Sequence, residues 1–471
     1  MRTYQDLLQA KGSDRETGHF IQAAVNDFRG SKEYRSACDA MSYYNKHNLT
    51  IERYQKWLYT ISGRQAPDLF SSNYKIKSLI FRRLVTQQVQ YILGNGLFLD
   101  GKEKLGKDID IKLQTAAKMA LVQGKAYGYW NFDHLEVFTL ADWNGTPGFL
   151  PLLDEDTSEL MAGIRFWYKT VDNRQIFRAT LYELDGVTEW VRGIHESEPV
   201  ILSAKRGYKQ TVTQNAYGIV DICNENYTRL PIVTLYGSDT HESELVGLRE
   251  SIDCYDFIKS GLANDIDDTS GFYWVVKNSG GMEDTDLAKF VQRMKTVKAA
   301  VVDGDEGSTV EARTLSIPYE ARTTALSILR KDIYEDAQML DTATLSANQL
   351  TATAIETAYQ NQDNKCADFE AYIIDFLHGI CELAGVDSAG AAFHWNKIIN
   401  EAEQANMVLS AANYLDDETI LKHLPFLMAE EVPEILKRLD EKDLSRMGAI
   451  QTVQTQQEPE GDEPEGTQQE A

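Results

Sequence analysis

The chain has 471 residues, enough for roughly three domains of ordinary size. At 43% hydrophobic and 25% charged it can bury a core, which excludes collagen-like, low-complexity and disulfide-scaffold classes. Asp and Glu (72) outnumber Lys and Arg (47), a net of −25, the reverse of the basic surplus expected of a protein that grips nucleic-acid phosphates.

No apolar run reaches the ~18–20 residues that cross a bilayer. The N-terminus, Met1-Arg2-Thr3-Tyr4-Gln5-Asp6, lacks an apolar signal core, so a soluble chain without a membrane partner is expected. Cys38, Cys223, Cys254, Cys366 and Cys381 are odd in number and widely spaced, which predicts free thiols.

The first ~70 residues read as a polar, Tyr-rich arm with a helix over Phe20–Phe28 and aromatic anchors at Tyr43, Tyr44, Tyr54, Trp57 and Tyr59. Ile76, Ile80, Leu84, Val85, Val89 and Ile92 predict a helix that stops at Gly94-Asn95-Gly96, and Lys112–Gln123 predicts another that stops at Gly124. Between Tyr127 and Tyr236, short aromatic and β-branched runs alternate with turn signals such as Asn144-Gly145 and Asp185-Gly186. That pattern predicts a largely meandering antiparallel region.

A long helix from Leu245 to Ile266 comes after it. Next are a strand at Phe272–Val276, a short helix from Asp284 to about Val297, a strand at Ala299–Val302 and a turn at Asp303–Gly307. Pro318 opens a second long helix carried on by Leu326, Leu329, Ile333, Ala337 and Leu340. The polar stretch Asp341–Gln349 leads into the longest stripe, Ile355 to Leu383. Helices over Glu401–Leu415, Asp417–Leu427 (capped by Asp416 or Asp417) and around Ile435 close the chain. Beyond Gln451 the acidic Gln/Glu/Pro/Gly composition predicts a disordered tail.

Motifs for chemistry are few. Gly96–Lys102 matches seven positions of a P-loop, but Glu103 stands where a magnesium-ligating hydroxyl belongs, so a turn and short strand are expected instead. The eight histidines never fall at i, i+4, and His241-Glu242-Ser243-Glu244 reads as the polar start of a helix. Asp265, Asp267 and Asp268 would be the seed of a metal-dependent nuclease, against the simpler reading of solvent-facing acids at a helix end. No catalytic residue, metal or cofactor is implied.

The order of elements resembles the portal proteins of tailed bacteriophages, of the long-tailed siphovirus type. Four stretches carry the resemblance over about residues 75–405. They are Gln90–Asn95; Leu230–Val233 with Leu248–Asp256 and Ala263–Asp265; Thr351–Ile355 running into Asn364–Glu370; and His394–Lys397 with Asn400–Glu403.

The resemblance implies an α+β portal fold: a β-rich wing (1–245), stem helices (246–270 and 316–340) and a small α/β clip (271–315). A tunnel loop (341–350), a long spine helix of the wing (351–389), a helical crown (390–450) and the acidic tail (451–471) complete it. It further implies a non-enzymatic ring, of twelve copies, at one capsid vertex, in the virion after assembly in the host bacterial cytoplasm. Double-stranded DNA would pass through it, and the large terminase, the head–tail adaptor and the major capsid and scaffolding proteins would be partners. Thr342, Thr344, Leu345, Ser346, Asn348 and Gln349 would face the DNA; Asp284, Lys289, Arg293 and Lys295 of the clip would meet the motor or adaptor. The alternatives are the nuclease and a head–tail connector without a DNA channel.

The tunnel stretch holds one acid and no base. Such a segment can touch a sliding duplex without the salt-dependent grip that each Lys or Arg would add. A ring of such acidic chains repels phosphate over about a Debye length, ~8–10 Å.

Overall fold

The structure is a computed structural model that describes residues 2–59, 64–68, 71–193, 196, 198–214, 220–269, 273–277, 309–313, 319–345, 352–397, 408–424, 427 and 432–439. The chain divides into two units, Met1–Ala347 with Ala358–Asn396, and Asn348–Thr357 with Lys397–Ala471.

The first unit is built on an eight-stranded sheet in the order β10-β9-β8-β7-β6-β5-β4-β13. Its strands are β4 (Lys125–Asn131), β5 (His134–Thr139), β6 (Gly148–Leu153), β7 (Leu160–Val171), β8 (Arg174–Glu183), β9 (Gly186–Arg192), β10 (Val200–Arg206) and β13 (Ile232–Tyr236). Every pairing is antiparallel except β5 with β6, which meet in parallel at Thr139 and Gly148 alone. That exception explains β6, which sequence reading passed over because Pro151 argues against a central strand. Pairing with β5 ends at Gly148, so Pro151 needs a partner on the β7 side only, where it lies opposite Gly163. The link turns at Asn144 (φ 47°) and Gly145 (φ 84°), the two left-handed positions of a type I′ turn.

The N-terminal segment is more than an arm. It forms α1 (Tyr4–Ala10), α2 (Asp14–Arg29), α3 (Lys32–Tyr44) and α4 (Leu49–Arg53), capped at their starts by Thr3, Ser13, Ser31 and Asn48. Phe20, Ile21, Val25 and Phe28 of α2 and Tyr34 of α3 are buried with Tyr127, Phe138, Phe149, Phe166 and Phe177 of the sheet. Each such side chain stabilises the fold by about 1.5–3 kcal/mol relative to exposure. Of the expected anchors, Tyr43 is buried, whereas Tyr54 and Trp57 are exposed.

Helix α5 (Ile80–Leu93) starts four residues later than the apolar stripe suggests, because residues 72–79 form no regular element. Its cap Gly94 is right-handed, and the left-handed position is Gly96 at φ 81°. Helix α6 (Ile109–Gln123) ends at Gly124 as expected. The near P-loop is the short strand β3 (Leu97–Phe98) and a turn. Lys102 is held there by Asp110 (2.7 Å) and the Leu97 carbonyl (3.0 Å), so no phosphate cradle forms. His241 does not open a helix. It sits at φ 56° stacked on Tyr236, and α7 (Arg249–Thr269) begins later, at Arg249.

Past α7, β14 (Tyr273–Lys277) pairs with β15 (Thr309–Arg313), a strand that sequence reading left unassigned. The expected strand at Ala299–Val302, the helix from Asp284 and the turn at Asp303–Gly307 lie outside the described residues. Helix α8 (Tyr319–Asp336) ends before Ala337 and Leu340, because Gln338 turns left-handed at φ 54°. Bonds from Gln338 N to Glu335 O (3.0 Å) and Met339 N to Tyr334 O (2.9 Å) close a Schellman motif there. After the short α9 (Thr342–Leu345) comes α10 (Ala352–Ala384), 33 residues long, with Tyr359, Cys366, Phe369, Ile373, Phe376 and Ile380 buried. Gly128 of β4 and Gly379 of α10 let this helix approach the sheet. A Cβ at Gly379 would lie 2.8 Å from Val233 Cγ1, and one at Gly128 would lie 2.7 Å from Phe376 Cε2.

In the second unit, α11 (Asp417–His423) is capped by Asp416, which accepts from Thr419 N (3.2 Å), and ends earlier than the expected Leu427. A further helix, α12, spans 432–439. The expected Glu401–Leu415 helix is described only from 408; residues 408–410 are helical and a 3-10 segment follows at Ala412–Tyr414. The tail from 451 lies outside the described residues. None of the five cysteines is in a disulfide. No described helix is long and apolar enough to cross a membrane.

Candidate functional site

The segments singled out by sequence converge on the antiparallel pair α7–α8 and on residues 337–345 immediately after it. Helix α7 carries a polar stripe at three- and four-residue spacing: Asp253, Asp256, Ser260, Asn264 and Asp267. Along most of α7 this stripe, joined by the buried Ile252, is the face turned toward the rest of the unit. Asp256 accepts from Asn48 Nδ2 (3.0 Å) and Ser78 N (2.9 Å). Ser260 Oγ accepts from Ile76 N (2.9 Å), and Asn264 accepts from Tyr74 N (2.5 Å). Asp253 takes the hydroxyls of Tyr43 (2.6 Å) and Thr50 (2.7 Å), and Ser72 donates to Asp267. The stripe thus supplies the partners that the irregular 72–79 backbone, lying outside any sheet, would otherwise lack. Burial holds the Asp256 carboxyl above the usual carboxylate range, and the bonds from Ser78 and Asn48 pull it partly back.

The apolar side of the pair is poorly covered. Asp256, Ser260 and Asn264 are buried, but Ile266 is 53% exposed and Ile258 and Leu262 only half-buried. On α8, Ile333 and Tyr334 are buried, Leu326 and Leu329 are half-buried, and Tyr319 and Ile328 are 57% and 53% exposed. The two helices are joined by Arg322 of α8 and Asp265 of α7 (2.5 Å).

These contacts bear on the nuclease alternative. Asp265 faces Arg322 and Asp267 faces Ser72, so the two carboxylates do not converge. Among the described residues no group of three His, Cys, Asp or Glu side chains could hold a metal ion.

Residues 337–341 are held by side chains from three helices. Asp341 receives both Arg330 Nε and Nη2 at 2.8 Å and accepts from Ala343 N (3.1 Å), so it starts α9. The Asp341 bond raises the Arg330 pKa above its ordinary value. Leu340 N donates to Gln362 Oε1 (3.0 Å), and Leu340 O accepts from Gln87 Nε2 (2.8 Å). Lys365 donates to Ala337 O (3.0 Å) and pairs with Glu244 (2.6 Å). Sequence reading missed this set, because Gln87, Gln362 and Lys365 are single polar residues within apolar helix stripes.

Of the expected tunnel residues, Thr342 is exposed, and Thr344 and Leu345 lie on α9. Ser346, Asn348 and Gln349 lie outside the described residues, as do Asp284, Lys289, Arg293 and Lys295. Three of the four resemblance stretches meet in space. Asn396 N donates to Tyr91 O (2.8 Å), Asn95 Nδ2 to His394 O (2.9 Å) and Trp395 Nε1 to Glu370 (2.8 Å), while the Tyr91 and Trp395 rings lie 5.5 Å apart.

A family model described as phage portal protein, SPP1 Gp6-like, matches residues 31–444. The portal protein of Clostridium phage phiCD119 is 26% identical over 226 residues, 46% of this chain and 50% of that protein. The portal protein of Bacillus phage SPP1 is 22% identical over 346 residues, 69% of this chain and 64% of that protein. The chain thus spans between half and two thirds of the length of these relatives. A solved chain described as the neck of a native GTA particle, computed with C12 symmetry, aligns over 74% of this chain and 88% of its own length. Its identity is 10% and its TM-score 0.34, a likeness too slight to bear on the fold.

Proposed function

The chain belongs to the SPP1 Gp6-like family of phage portal proteins, and from that premise we propose that identical copies, twelve in number, close into a ring at one capsid vertex through which double-stranded DNA is packaged and ejected. Residues 1–245 are the wing, 246–270 and 316–340 the stem, 271–315 the clip, 341–350 the tunnel loop, 351–389 the spine and 390–450 the crown. Before the capsid is filled the clip docks the large terminase, which supplies the chemical energy; afterwards it receives the head–tail adaptor. The wing and crown meet the capsid and scaffolding proteins. The chain itself transports DNA rather than reacting with it.

The observation that carries the ring is the half-bare α7–α8 pair. Ile266 and Ile328 are about half exposed and Ile258, Leu262, Leu326 and Leu329 only half-buried, more bare apolar surface than a packed helix pair leaves within one copy. A repeating, heterologous contact with the next copy buries them, and such contacts generate rings when the rotation closes. The tunnel stretch suits the same role. Its one acid is taken up by Arg330, so it offers a passing duplex neither a phosphate-binding cation nor a free repelling charge.

Ile266→Asp combined with Ile328→Asp tests this. Size-exclusion chromatography with light scattering should show the large assembly of the wild type replaced by monomer of unchanged helix content. Persistence of the assembly would refute the role given to these faces.

A further inference from the structure

The tunnel stretch is only as well placed as its root, and the root is where the side-chain contacts are densest. Leu340 has left α8, so neither of its backbone groups has a helical partner. Its N–H goes to Gln362 Oε1 and its C=O to Gln87 Nε2, and the two amides lie 3.4 Å apart, Gln87 donating to Gln362. Two side chains from different helices therefore do what a neighbouring strand does in a sheet. Gln362 is 1% exposed, so its amide faces no competing water.

One residue on, the Asp341 carboxylate is gripped bidentately by Arg330, the geometry that fixes orientation as well as distance. Three residues before, Lys365 holds the Ala337 carbonyl and is itself fixed by Glu244.

We propose that Gln87, Arg330, Gln362 and Lys365 are positioning residues that pin residues 337–341, the root of the 341–350 stretch, to the stem and spine helices. This rests on the reading of 341–350 as the DNA-facing loop. The anchor explains how a segment without cations can be held in register with a moving duplex: its position is set by contacts within its own subunit, not by affinity for phosphate.

The test compares Gln362→Met, which keeps the length but loses the acceptor, with Gln362→Glu, which keeps an acceptor for Leu340 N and for Gln87. In the assembled full-length protein, hydrogen–deuterium exchange over 337–345 should rise about tenfold in Q362M. It should stay near wild type in Q362E, with exchange over 366–384 unchanged in both. Capsids assembled with Q362M should package DNA several-fold less, with Q362E restoring the yield. Unchanged exchange over 337–345 in Q362M overturns the anchor. Raised exchange with full packaging in Q362M leaves the anchor standing and overturns the DNA-facing role of the loop on which the proposal rests.

Discussion

Replacing Asp256 with alanine removes the centre of the α7 polar stripe, and its cost can be worked from the geometry. Asp256 is 0% exposed and holds two donors, Ser78 N and Asn48 Nδ2. Left without an acceptor, each buried donor costs about 1–3 kcal/mol. Part of this is returned, because the burial penalty that raises the Asp256 pKa disappears with the carboxylate. The net expectation is about 2–4 kcal/mol of destabilisation. Asp256→Asn keeps an acceptor for Ser78 but sets an amide NH2 against that of Asn48. Asn48 cannot simply turn over, since its Oδ1 caps α4 at Ile51 N (3.2 Å). About half the cost should therefore remain.

Urea unfolding followed by circular dichroism measures the loss, and hydrogen exchange over 72–79 locates it. The pH dependence has a definite sign. The folded state holds the Asp256 proton more tightly than the unfolded chain does, so this group's contribution is full below the ordinary aspartate pKa of about 3.9 and is lost as pH rises through the raised folded value. The advantage of wild type over Asp256→Asn should grow as pH falls from neutral. An Asp256→Ala protein with wild-type urea midpoint and unchanged exchange over 72–79 would refute the reasoning.

Three more outcomes are expected from the same contacts. Gly379→Ala should destabilise by about 1–3 kcal/mol, because the new methyl overlaps Val233 where α10 crosses the sheet; a thermal scan measures it. Gln338→Gly should stabilise by about 0.5–1 kcal/mol, since the left-handed position that ends α8 strains any residue with a Cβ; urea unfolding reads the gain. Lys102→Ala should leave the protein without nucleotide affinity, as in the wild type, while lowering stability by about 0–1 kcal/mol through loss of the half-exposed Asp110 pair; calorimetric titration with ATP checks the first point.

Periodicity made much of the fold legible in the sequence. The β4, β5 and β7–β9 runs are rich in aromatic and β-branched residues, and Ile373, Phe376 and Ile380 repeat at helical spacing, which marks each as a buried strand or helix face. The failures occur where a partner distant in sequence decides. Helix α7 shows both an apolar and a polar stripe, and only the irregular 72–79 backbone, far upstream, selects the polar one. Helix α8 stops at a glutamine, for which there is no turn signal, and the contacts of Gln87 and Gln362 to Leu340 hold the chain just beyond that stop. Pro151 concealed β6 because its tolerance depends on where pairing with β5 ends. Apart from the expected Phe20–Phe28 part of α2, the N-terminal helices were hidden by their many charged and hydroxylated positions, although Ser13, Ser31 and Asn48 were legible caps. For the candidate site, the sequence indicated a stretch without cations but not the side chains that hold its root.

In the proposed ring, identical acidic copies close through α7 and α8 around a bore lined by a loop without basic residues. Electron microscopy of the purified full-length protein, viewed end-on, tests it most directly. The account predicts a closed ring with an axial hole wide enough for a double helix and with residues 341–350 at the hole's edge. A monodisperse monomer, or a ring carrying 341–350 on its outer surface, would contradict it.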